Sequence, residues 1–131
     1  MIFDIDHFKA YNDLYGHEEG DQCLKKIASM TSEYTCEKKG LLARYGGEEF
    51  ASIFVGDSNE EVFEIAENIR KKIYDSKIPN ENSLVEPYVT VSIGIASVIP
   101  TQETSCKSMI ESADKQLYLA KKTGRNKICM I

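Results

Sequence analysis

The sequence predicts an α+β domain in which helices pack on a mostly antiparallel sheet, in the order β-α-α-β-β-α-β-α-β. Three observations carry that prediction. The chain has 131 residues, enough for one hydrophobic core and too few for two ordinary domains, so residues 1–131 read as a single domain. Apolar residues recur at helical spacing in several stretches, most of them ending at a glycine. Between them lie short apolar, β-branched runs, two of which flank Gly46-Gly47-Glu48-Glu49 as the arms of a hairpin.

Residues 1–5, MIFDI, are apolar apart from Asp4, the pattern of a buried strand with an acid near its end. So abrupt a start for a central strand predicts that the domain is truncated at its N-terminal edge and that a sensor domain lies upstream in the full protein. Phe8, Tyr11 and Leu14 or Tyr15 trace a short helix from His7 to Tyr15, stopped by Gly16. A second helix is expected from Asp21 to about Lys39, with Leu24, Ile27, Ala28 and Thr31 on one face and Gly40 at its end. Residues 41–45 and 50–55 are the hairpin arms. Asp57-Ser58-Asn59 then caps a helix that buries Val62, Ile65, Ala66, Ile69 and Ile73. After a polar loop, residues 88–98, YVTVSIGIASV, form the strongest strand. The last helix, capped by Thr104 or Ser105, places Met109, Ile110, Ala113, Leu117 and Ala120 on one face, with Leu117 and Tyr118 both assigned to the core. It ends at Gly124, and residues 127–131 close the sheet.

Composition excludes several classes. Hydrophobic residues make up 42% of the chain, yet no apolar run approaches the length of a membrane span, and no secretory leader opens the chain. A cytoplasmic domain without membrane contact is the expectation. The four cysteines, Cys23, Cys36, Cys106 and Cys129, lack the spacing of a zinc site or a disulfide framework and read as reduced thiols, several in the core. A net charge of −5 argues against a nucleic-acid surface. Residues 121–127 nevertheless gather Lys121, Lys122, Arg125 and Lys127, a basic corner suited to one compact anion.

By itself the G-G-E-E tip reads as a solvated turn. Successive side chains there point to different sides, so Glu48 and Glu49 are expected to have different roles. The stretch Asp4-Ile5-Asp6-His7-Phe8-Lys9 adds a second acidic element. If the first strand neighbours the hairpin, Asp4 and Glu48 converge, and facing carboxylates repel unless a cation lies between them. Hard oxygen donors favour Mg²⁺ or Mn²⁺, and Mg²⁺ is commonly shared between one or two carboxylates and substrate phosphates. Lys9, at a helix start where backbone N–H groups are free, suits such a phosphate, although a lysine taken singly is usually a solvated surface residue.

Four blocks, in order and spacing, resemble the GGDEF domain of bacterial diguanylate cyclases: Asp4-x-Asp6-x-Phe8-Lys9-x-x-Asn12-Asp13-x-x-Gly16-His17-x-x-Gly20-Asp21; Arg44-Tyr45-Gly46-Gly47-Glu48-Glu49-Phe50; Ser92-Ile93-Gly94-Ile95-Ala96; and Ala120-Lys121-x-x-Gly124-Arg125-Asn126. The resemblance spans nearly the whole chain and implies a fold similar to nucleotidyl cyclases and polymerase palms. It also implies condensation of two GTP into cyclic di-GMP with release of two pyrophosphates, at the interface of a homodimer. Carried over by position, it gives Asp4, Glu48 and the Ile5 carbonyl as ligands of Mg²⁺ or Mn²⁺. Glu49 becomes a second essential acid, for metal binding or for readying the 3′-hydroxyl. Asn12 and Asp21 become readers of the guanine edge, and Lys9, Lys121 and Arg125 the phosphate contacts. Phe8 belongs to the same substrate-binding block, and Gly46 and Gly47 leave room for the nucleotide.

Two departures stand out. Many members carry an inhibitory product site, R-x-x-D, where this chain has Glu37-Lys38-Lys39-Gly40, so product inhibition of that type is not expected and Lys38 and Lys39 offer at most loose attraction to an anion. The family's usual upstream D-x-L-T-x-L-x-N-R segment is also missing from these residues. A catalytic domain is the first reading and a GTP-binding regulatory module without turnover the second; retention of both hairpin acids and both glycines favours the first.

Overall fold

The computed structural model describes every residue from Met1 to Ile131. Its elements follow the expected order: β1 (Ile2–Ile5), α1 (Phe8–Tyr15), α2 (His17–Glu37), β2 (Leu41–Gly46), β3 (Glu49–Ile53), α3 (Asn59–Asp75), β4 (Val91–Ile95), α4 (Cys106–Lys122) and β5 (Ile128–Met130). The strands form one sheet in the order β2-β3-β1-β4-β5, antiparallel except for the parallel β4–β5 pair. β1 is therefore central, flanked by β3 and β4.

Alternation along β1 divides the core. Phe3 and Ile5 join the larger cluster, which takes in Phe8 and Tyr11 of α1, Leu24 and Ile27 of α2, and Ile65, Ala66, Ile69 and Ile73 of α3. Ile2, one residue out of phase, packs with Ala113 and Leu117 of α4. Asp4 shares Ile2's parity and so lies on the α4 face. That face is set close to the helix at Gly94, opposite Ile2 in register, where a Cβ would stand 2.2 Å from both the Ala113 carbonyl oxygen and the Leu117 nitrogen. α3 starts as expected, with the Ser58 hydroxyl accepting from the Glu61 amide while the Glu61 carboxylate accepts from the Ser58 amide.

Several boundaries differ from expectation for identifiable reasons. α2 begins at His17 rather than Asp21, because Gly20 is a helical residue placed for close packing and the break falls at Gly16 (φ 88°). The run 88–98 contributes only Val91–Ile95 to the sheet: its antiparallel partner β1 is four residues long, and the preceding Tyr88 bridges to Pro79 instead. Leu117 is buried, but Tyr118 is 62% exposed, since adjacent residues on a helix point about 100° apart. Of the cysteines only Cys23 is fully buried; Cys36 and Cys106 are exposed.

Candidate active site

The strand register brings the acids together. Asp4 pairs directly with Glu49 across β1 and β3, so their side chains leave the same face of the sheet. Glu48 occupies the turn itself: the strands close at Gly46 and Glu49, leaving Gly47 and Glu48 as a two-residue connection with Gly47 at φ 44°. The Ile5 amide donates to the Glu48 carbonyl at 3.4 Å and the Arg44 Nε donates to the Gly47 carbonyl at 2.9 Å, which ties the tip to β1 and to its own first arm. The adjacent glutamates thus do differ in setting, one in the ladder beside Asp4 and one on the turn. A Cβ on Gly46 or Gly47 would meet nothing within 4 Å, so the space around both glycines is open.

The α4 face supplies the counter-charge. Moving two residues along β1, from Ile2 to Asp4, covers about 6.6 Å, and one turn of α4, from Leu117 to Lys121, covers about 6 Å. Leu117 packs on Ile2, and Lys121 Nζ lies 2.8 Å from Asp4 Oδ2. Burial pushes the Asp4 carboxyl up to about 6; the Lys121 ammonium opposes this, and the charges of Glu48 and Glu49 add to it. One ammonium among three carboxylates leaves the cluster short of positive charge, a donor set that fits a hard divalent cation. No group of three or more His, Cys, Asp or Glu side chains forms a cage able to hold an ion unaided. Sharing the ion with substrate phosphates is the usual arrangement for Mg²⁺.

Asp6 has a different setting. It is 1% exposed, and both oxygens are taken: Oδ1 accepts from the Ser92 hydroxyl at 2.7 Å, and Oδ2 from the Thr90 hydroxyl at 2.7 Å and the Asn126 amide at 3.1 Å. Arg125 Nε stands 4.0 Å from Oδ1. These bonds give Asp6 a structural setting, whereas Asp4 has Lys121 as its side-chain partner. Sequence reasoning assigned Asp6 no role, yet a signal was present in Thr90 and Ser92, the polar residues of one parity in an otherwise apolar strand run.

On the other side of β1, α1 and α2 carry the proposed base readers. A Cβ on Gly20 would stand 1.8 Å from the Asn12 Oδ1, so a larger residue there would push the Asn12 side chain out of its present position, and Asp21 follows directly. Asn12 Oδ1 is shielded from solvent without a hydrogen-bond partner, whereas Asp21 is exposed. Phe8, 6% exposed, lies in the core beneath this point, with its ring stacked on Tyr11. Lys9 is exposed in the first turn of α1, a helix whose start has no side-chain cap. Arg125 and Asn126 follow α4 in left-handed backbone (φ 63° and 46°).

At the end of α2, Lys38 is not a free anion site. Its ammonium lies 3.1 Å from Glu61 and 3.5 Å from Asp57, so the loose attraction expected of Lys38 is already satisfied by acids of the α3 start.

No helix is long and apolar enough to cross a membrane. A family model described as diguanylate cyclase, GGDEF domain, matches residues 1–127. The chain is 43% identical over 129 residues to an uncharacterized protein, YhcK, of Bacillus subtilis and 38% identical over 130 residues to diguanylate cyclase A of Treponema denticola, covering 98% and 99% of this chain but only 35% and 34% of theirs. It thus spans about a third of the length of these curated relatives. Among solved structures, the coiled coil and GGDEF domain of DgcB from Caulobacter crescentus, in complex with c-di-GMP, superposes with a TM-score of 0.85 at 34% identity, covering 99% of this chain and 67% of that one. The active GGEEF domain of a diguanylate cyclase from Vibrio cholerae gives 0.82 at 27% identity, covering 98% and 79%. With the four motif blocks, the palm-like fold and the acid cluster in place, the chain belongs to the GGDEF domain family of diguanylate cyclases.

Proposed function

We propose that this domain condenses two molecules of GTP into cyclic di-GMP with release of two pyrophosphates, as a homodimer in which each domain holds one GTP. The observation that carries the reading is the cluster of Asp4, Glu48 and Glu49 beside Lys121 and next to the Arg125 turn: acids for a metal ion and cations for a triphosphate meet at one end of the sheet.

Asn12 and Asp21 read the base. The Asp21 carboxylate accepts from guanine N1–H and the exocyclic amine, a donor pair that adenine lacks, and Asn12 contributes its side-chain amide. Lys9, the uncapped first turn of α1, Lys121 and Arg125 hold the triphosphate. Asp4, Glu48 and the Ile5 carbonyl would hold Mg²⁺ or Mn²⁺, which supplies neutralisation of the phosphate charge that builds up during transfer. In each half-reaction the 3′-oxygen of one GTP forms a bond to the α-phosphorus of the other, the bond from that phosphorus to the pyrophosphate oxygen breaks, and the hydroxyl proton is released. Glu49 takes either the proton-handling or a metal-binding role. Two domains face to face supply the proximity that a single domain, with one GTP, cannot.

Incubation of the protein with GTP and Mg²⁺, with products resolved by chromatography and mass, tests the reading. Cyclic di-GMP and pyrophosphate in a 1:2 ratio are expected. GTP bound without any dinucleotide product would replace the enzyme with a binding module.

A further inference from the structure

The turn that carries Arg125 is held from two sides by side chains outside it. From the sheet, the Asp6 carboxylate accepts from the Asn126 amide at 3.1 Å and is itself fixed by Thr90 and Ser92. From α3, Arg70 Nη1 donates to Asn126 Oδ1 at 2.7 Å while its Nε and Nη2 engage both oxygens of Glu67 at 2.8 and 2.7 Å. Gly124, Arg125 and Asn126 run at φ 121°, 63° and 46°, and two of these are not glycine. Such a backbone persists only where surrounding bonds over-determine it. A paired guanidinium that spends a third donor on one loop oxygen is a rigid strut. The solvated alternative, a helix-surface Arg–Glu pair, would leave that donor in water.

We infer that Asp6 and Arg70 are positioning residues for the triphosphate: together they clamp Asn126 and so fix the neighbouring Arg125, whose Nε stands 4.0 Å from Asp6 Oδ1, without themselves touching substrate. The inference rests on the reading of Arg125 as a phosphate contact. It accounts for a buried acid at position 6 whose hydrogen bonds go to Thr90, Ser92 and the Asn126 backbone, and it assigns a role in substrate binding to α3, which carries none of the motif residues.

The test is a double-mutant cycle on affinity. Calorimetry with a GTP analogue carrying a methylene bridge between the α- and β-phosphates, and separately with guanosine, is run on Arg70→Gln, Arg125→Ala and the double variant. Arg70→Gln is expected to weaken analogue binding about tenfold, the effect of losing one charged hydrogen bond, with guanosine binding unchanged and no further loss on the Arg125→Ala background. Asn126→Ser, which keeps the backbone bond to Asp6 but loses Arg70's acceptor, should give the same pattern and guards against a folding defect in the first variant. Multiplicative effects of Arg70→Gln and Arg125→Ala, equal loss for guanosine, or no loss would each overturn the positioning role. Unchanged analogue binding by Arg125→Ala alone would remove the phosphate assignment, and the clamp's purpose with it.

Discussion

The two ends of β1 face the same helix and do opposite things. At Ile2 the contact with α4 is dry and tight, made by Ala113 and Leu117 over Gly94, with no space for even one more carbon. At Asp4, one turn of α4 further along, the contact is an ion pair within a cluster of three acids, where burial holds the carboxyl up near 6. The first end contributes stability; the second is held in an electrostatically unfavourable state by the first. The proposed function is located where the packing rule is broken, beside an end where it is kept.

Breaking the acid end should have the largest effect on turnover. Asp4→Asn or Glu48→Gln should lower the rate of product formation by at least about 10³-fold, as expected when charge stabilisation at a transferring phosphoryl group is removed. The fold should not suffer. Because the folded-state pKa of Asp4 lies above its unfolded value, the native chain holds that proton more tightly, so stability falls as pH rises from about 4 to about 6 and the penalty persists above. Asp4→Asn should therefore melt at or above the wild-type temperature near neutral pH, with the difference vanishing by about pH 4 in thermal melts.

Breaking the packed end should do the reverse. Gly94→Ala forces a methyl group against the α4 backbone and should cost about 3 kcal/mol in chemical denaturation, with activity lost only as folded protein is lost. Asp21→Ser, away from both ends, should leave stability unchanged and reduce the preference for GTP over ATP by roughly 10- to 100-fold in competition binding; an unchanged preference would refute its role as base reader. The smallest effect expected is that of Ser58→Ala at the α3 capping box, about 1 kcal/mol of stability by denaturant titration and none in nucleotide selectivity.

Much of this was legible in the residues. Helical periodicity located α3 and α4, and the capping signal in Asp57-Ser58-Asn59 marked the start of α3, because those features are local. The GGEE hairpin and the separate settings of its two glutamates followed from turn chemistry and alternation. Register across strands was not local: that Asp4 faces Glu49 while Glu48 sits on the turn depends on how β1 and β3 slide against each other, and Lys121 reaches Asp4 only because α4 descends onto Gly94. The start of α2 falls at His17 rather than at the expected Asp21 for a related reason. A glycine in a helix looks like a break unless the partner it admits, Asn12, is known. The clamp on Asn126 joins residues up to 120 positions apart in sequence and could be hinted at only by the polar parity of Thr90 and Ser92.

The most direct test of the central claim is the order of the reaction in protein. Cyclic di-GMP production is measured at saturating GTP and Mg²⁺ over about two decades of protein concentration, chosen to bracket the association equilibrium. If each domain holds one GTP and the reaction needs two domains, the rate per domain rises with concentration and levels off once the dimer is populated. Cyclic di-GMP made at a constant rate per domain down to concentrations where sedimentation shows only monomer would contradict the account.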